Sequence, residues 1–177
     1  MGYSLTSGFL PSGHWVNSRL IMQESGQDQP LGGRFEGREH RLGVRVYFED
    51  TDLSGVVYHA NYLRYMERAR SDMLRLAGID QRATFEAGEG AYAVADVALR
   101  FRAPARLDDA LLIVSRVQMV SPARVVIHQT VRRDQHVLTQ GTVTVALVGS
   151  DGRPRRQPRA WTDIYQRLVW QGDTQHP

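Results

Sequence analysis

The sequence predicts an α+β domain in which an antiparallel sheet of five strands wraps one long helix, with a short helix closing the chain. Three observations carry that reading: five segments alternate apolar and polar residues with period two, a single stretch repeats at helical spacing, and the last four strand-like segments are joined by short turns. In the first strand, Leu42, Val44, Val46 and Phe48 alternate with Arg41, Gly43, Arg45 and Tyr47. The polar run Glu49–Gly55 ends it as a loop. Tyr62, Met66, Ala69, Met73 and Leu76 then share one helical face, with Asn61 as N-cap and Gly78 as stop, which predicts a helix of about 16 residues. Period two returns from Tyr92 to Phe101, Leu111 to Met119, Val125 to Val131 and Val137 to Val148. Gly149–Pro158 is a basic loop, and Trp161–Trp170 is expected to be the terminal helix.

Length and composition narrow the function classes. With 177 residues and 42% hydrophobic content, one ordinary domain accounts for the chain. There is no cysteine, which removes disulfides, thiolate metal sites and cysteine nucleophiles. No apolar run reaches the roughly 20 residues of a membrane span, and Met1–Leu20 lacks the pattern of a signal peptide, so a cytoplasmic protein without stable membrane insertion is expected. The net charge of +3 is small, and Arg153, Arg155, Arg156 and Arg159 hold most of the imbalance, which suits a local anion site and not a nucleic-acid surface. Residues 1–40 are rich in Gly, Ser, Gln and Pro without periodicity and are expected to be a disordered tail, within which Met22 is a candidate initiator. The folded domain is expected over residues 41–170 and a C-terminal tail over 171–177.

Reactive groups concentrate at Asp50, Asp52, His59 and Asn61, between the first strand and the long helix. A helix start presents unpaired N–H groups and a favourable dipole to an oxygen that gains charge, and a carboxylate a few residues upstream can act on the same carbonyl as nucleophile or base. Asp52 fits that place, while Asp50 and a lone His59 also have ordinary turn and cap readings. An Asp/Asp/His metal site lacks a fourth ligand at suitable spacing, so no metal is expected. Glu67, inside the helix, ranks second as a base, with a solvated face beside Arg68 and Arg70 as its plain alternative.

The run Val44-Arg-Val-Tyr-Phe-Glu-Asp-Thr-Asp-Leu-Ser-Gly-Val-Val-Tyr-His-Ala-Asn-Tyr-Leu-Arg-Tyr-Met-Glu-Arg-Ala-Arg70 resembles the signature of the YbgC-like acyl-CoA thioesterases, relatives of 4-hydroxybenzoyl-CoA thioesterase. The likeness extends more loosely through Leu99–Asp109 and Gly152–Arg156. It implies the hotdog fold, Asp52 as catalytic carboxylate and backbone N–H near His59 polarising the acyl carbonyl. His59 becomes a positioning group or proton donor to the leaving thiolate, Asp50 is structural, and Tyr58 and Asn61 bind substrate. Arg124, Arg153, Arg155 and Arg156 become candidates for the CoA phosphates, against a solvated loop as the equal alternative. The resemblance further implies no cofactor, a homodimer or homotetramer, acyl carrier protein as a candidate partner and a link to the Tol-Pal envelope system. Two competing readings are a non-catalytic acyl- or carrier-protein-binding subunit and a hotdog dehydratase.

Overall fold

The computed structural model describes residues 32–172, so the expectations for the tail before residue 32, Met22 included, and for residues 173–177 lie outside the described residues. Six strands form one antiparallel sheet: β1 (Arg34–Glu36), β2 (Glu39–Arg45), β3 (Ala91–Phe101), β4 (Ala110–Val120), β5 (Val125–Arg133) and β6 (His136–Val148), in the order β1-β2-β4-β5-β6-β3. Three helices accompany it: α1 (His59–Leu76), α2 (Gln81–Glu86) and α3 (Arg159–Leu168).

The sixth strand corrects the expected five. Residues 34–40, assigned from sequence to the tail, turn at Gly37 with φ 61° and pair Arg34 with Arg41. The first predicted strand also ends earlier, at Arg45, because the Asp50 carboxylate accepts the Tyr47 N–H at 2.8 Å and bends the chain into a 3-10 turn over Phe48–Asp50. Phe48, expected in the core, is 83% exposed. α2 escaped the periodicity because it is only six residues long; Asp80 caps it by accepting the Ala83 N–H at 2.9 Å.

α1 lies against the inner face of the sheet with Tyr65, Met66, Ala69 and Met73 fully buried. Each large side chain so enclosed contributes roughly 2 kcal/mol over its exposed state. Bulges at Val94/Asp96, Val117/Met119 and Val131/Arg132 let the sheet bend around the helix. The helix stops as expected: Gly78, at φ 82°, donates to Arg75 O, and buried Ile79 donates to Leu74 O. Two apolar clusters surround α1, one reaching from Leu42 to Leu138 and one holding Met73, Ile127, Leu147, Trp161 and Tyr165. Between them runs a polar crossbeam: Gln129 accepts from Arg70 Nη1 at 2.8 Å and donates to Met66 O at 2.9 Å and Ser115 Oγ at 2.8 Å.

A second polar tie fastens the β1–β2 hairpin to α1. Asp72 Oδ2 accepts from His40 Nε2 at 2.8 Å and from the Gly33 N–H at 2.8 Å, and Arg75 completes the group. Burial holds the His40 imidazole below its ordinary value of 6.5, with the Asp72 hydrogen bond pulling the other way and Arg75 adding to the depression. The folded form therefore takes up this proton less readily than the unfolded chain. Its contribution is whole above about pH 6.5 and is lost as the pH falls through the folded value. Thermal unfolding followed between pH 7.5 and 5.5 should show a falling midpoint, and the fall should be smaller in His40→Gln; equal slopes would remove His40 as the cause.

Candidate active site

The loop between β2 and α1 is held from beneath by Asp50. Its backbone oxygen accepts the Tyr58 N–H and the Asn61 Nδ2–H, both at 2.9 Å, while its carboxylate holds Tyr47. α1 consequently starts at His59 with Tyr58 as N-cap, three residues before the predicted cap Asn61. Asn61 is buried in the first turn and acts on Asp50. The β3–β4 connection braces the other side: Val57 N–H donates to Ala105 O at 2.8 Å, and Val56 bridges Arg106.

Asp52 sits at the tip of this frame in a tight turn closed by Gly55, whose φ is 74°. Only one of its carboxylate oxygens, Oδ1, is engaged, by the Ser54 hydroxyl and by the Ser54 N–H at 2.8 Å. The Ser54 hydroxyl, then its N–H, hold the carboxyl below the ordinary aspartate value of 3.8, with the Val56 backbone and the nearby His59 adding smaller pushes in the same direction. Oδ2 makes no hydrogen bond among the described residues. The N–H groups of His59 and Ala60, in the first turn of α1, have no intrahelical acceptor. Beside them opens a cleft of about 310 Å³ lined by Val57, His59, Tyr62, Phe101, Arg102, Ala103 and Pro104. His59 packs against Tyr58, ring centroids 4.4 Å apart, and edge-on to Phe101 at 6.5 Å. An ionised carboxylate, unpaired helix-start donors and a largely apolar cleft thus lie close together.

The profile of the thioesterase-like superfamily matches residues 46–168. The chain belongs to this thioesterase-like superfamily. It is 41% identical over 105 residues to the acyl-CoA thioesterase YbgC of Haemophilus influenzae, covering 59% of this chain and 77% of that protein. It is 38% identical over 122 residues to the acyl-CoA thioester hydrolase YbgC of Escherichia coli, covering 68% of this chain and 90% of that one. Among solved structures, a probable thioesterase from Bartonella henselae superposes with a TM-score of 0.65 at 36% identity, over 68% of this chain and 99% of that one. The hotdog architecture inferred from the sequence is shared with these thioesterases.

Within this thioesterase-like chain, Asp52, Tyr58 and His59 gather around the helix start, with Asn61 buried beneath them. The four arginines do not join them. Gln157 donates to Ser121 O at 2.6 Å and to Pro122 O at 2.9 Å, clamping the 149–158 loop onto the β4–β5 turn, so that exposed Arg124, Arg153, Arg155 and Arg156 share one end of the sheet. Asp52 lies at the other end, where Val46 meets Asp109. The eleven residues of β4 separate the two ends, roughly 35 Å. Glu67, the second candidate base, is exposed two turns into α1 and accepts from Ser71 Oγ at 2.6 Å. Among the described residues no cluster of three His, Asp or Glu has metal-binding geometry.

Ser54 was missed as a site residue, although Asp-x-Ser is a recognisable side-chain turn in which the residue two positions on hydrogen-bonds the aspartate. Its effect can be measured directly. In Ser54→Ala the Asp52 carboxyl should titrate higher, back toward the ordinary aspartate range, because the largest stabiliser of its charge is gone. Carboxyl-carbon NMR of Asp52 across pH 2–6 is the check, and an unmoved titration would show that the hydroxyl does not tune this group.

Proposed function

We propose that this chain, a thioester hydrolase by family, acts on acyl-CoA, with Asp52 as nucleophile or general base and the first-turn N–H groups of α1 polarising the thioester carbonyl. The observation that carries the reading is the closeness of a charged, half-unbonded Asp52 to open helix-start donors beside a largely apolar cleft. The YbgC relatives, named as acyl-CoA thioesterases, support the substrate class. If Asp52 attacks directly, its oxygen bonds to the acyl carbon, the C–S bond breaks and CoA leaves as thiolate; water then cleaves the mixed anhydride. If Asp52 is a base, it takes a proton from water, whose oxygen forms that bond instead. In either route His59, beside the same helix start, is the proposed proton donor to the thiolate. The cleft beside Phe101 is the natural seat for the acyl group. Asp52→Asn should lower thiol release from acyl-CoA by about 100-fold or more while leaving the fold intact; full activity in that variant would overturn the assignment.

The placement of Asp52 and the arginines at opposite ends of the eleven-residue β4 supports a site shared between two copies. β3 is an edge strand of eleven residues with Val94, Val97 and Phe101 exposed. Its Phe101 end lies by His59, and its Ala91 end pairs with Val148, next to the arginine loop. A two-fold pairing of β3 with its copy runs the strands antiparallel and brings the arginine loop of one copy toward the Asp52 of the other. Complementation tests this. An Asp52→Asn chain co-assembled with an Arg153→Gln/Arg155→Gln/Arg156→Gln chain should regain activity, because one site of each mixed pair is then free of both changes. No recovery in demonstrably mixed oligomers would confine the site to one chain or remove the arginines from it.

A further inference from the structure

The outer face of the sheet, turned away from α1, should be the plain solvent side of the fold, yet it holds a cavity of about 260 Å³. Val114, Arg116, His128, Thr130, Arg132, Val137 and Gln140 line it. Register explains the grouping: Val114 pairs with Thr130 and Thr130 with Gln140, while Arg116 pairs with His128, so outward-facing residues of three neighbouring strands converge. The register shift between Val131 and Arg132 leaves Leu138 of β6 unpaired, between Thr139 opposite Val131 and Val137 opposite Arg132.

The cations here are unequal. Arg116 is already neutralised by Glu39 and lies over Trp170, its guanidinium carbon 4.2 Å from the ring centroid. Arg41 is likewise taken up by Glu36 and Glu39, and Arg133 by Asp109. Arg132 has no carboxylate within 4.0 Å among the described residues, and its Nε is buried without an acceptor. No acidic side chain lines the cavity. A buried guanidinium N–H left without a partner is costly, and the fork of an arginine matches the oxygens of a phosphate group. Thr130, Gln140 and His128 add a hydroxyl, an amide and a ring nitrogen at the same wall. Burial, and then the Arg116 charge, hold His128 below its ordinary value of 6.5, so that at neutral pH it contributes a hydrogen-bonding nitrogen without a charge.

We propose that this outer cavity is an oxyanion site, centred on Arg132, that takes a phosphate group either as the inorganic ion or as a phosphomonoester. It is separate from the cleft beside His59 and from the arginine loop. Calorimetric titration of inorganic phosphate into the full chain should show saturable binding, about tenfold weaker or absent in Arg132→Gln. Arg132→Lys keeps the charge but not the Nε–H and should fall between the two. Thiol release from acyl-CoA by Arg132→Gln should match wild type, which separates this site from the reaction. Vesicles of phosphatidylcholine with phosphatidic acid distinguish the sources: displacement of phosphate by them assigns a lipid phosphomonoester, and lack of displacement assigns a soluble anion, each in keeping with the site. Identical isotherms for wild type and Arg132→Gln, or no heat with either, would overturn the proposal and leave the cavity to water.

Discussion

The enclosure of α1 is the constraint on which this structure depends. Tyr65, Met66, Ala69 and Met73 are shut away from water on a helix of eighteen residues, and a single sheet has to cover them. A flat sheet would touch the helix along one line, so three bulges curve it, and the strands nearest the helix supply the two apolar clusters. Wrapping stops short at both margins. β3 is left with a free edge, and the start of α1 emerges at the rim, where its donors are open to a ligand.

The interior is not uniformly apolar. Arg70, Gln129 and Ser115 cross between the clusters, and His40 and Asp72 fasten the hairpin, so polar contacts recur along the helix–sheet seam. Such contacts add little net stability, since the desolvation of each group offsets much of what its bond returns. They do penalise any slip of the helix, because a shifted register would leave several buried donors and acceptors unmatched.

Asp50 and Asp52 show how environment divides labour between two identical side chains. Asp50 is buried and spends its oxygens on Tyr47, Tyr58 and Asn61, so the loop cannot move without breaking three bonds. Asp52, two residues on, stands in solvent with one oxygen engaged and the other open. Neither the turn nor the helix start would present a fixed geometry without the buried partner.

Much of this was legible in the chain because period and turn chemistry are local. Alternation located β3 to β6 within two residues at their ends, Gly78 marked the end of α1, and the run from Val44 to Arg70 carried the family. The failures share one cause. Phe48 continued the alternation but a carboxylate two residues later bent the chain, and Asn61 had the composition of a cap but was drawn inward by Asp50 O. That Arg124 and Arg156 lie at the far end of β4 from Asp52 within one chain was likewise beyond the reach of local spacing. Arg132 was one polar residue in a strand until pairing set it beside Thr130 and Gln140. Residue spacing therefore located the long elements and their order and singled out a catalytic candidate, since those depend on neighbours in the chain. Only the folded sheet decided which charges are paired, which are buried and which ends meet, because those depend on register between strands far apart in sequence.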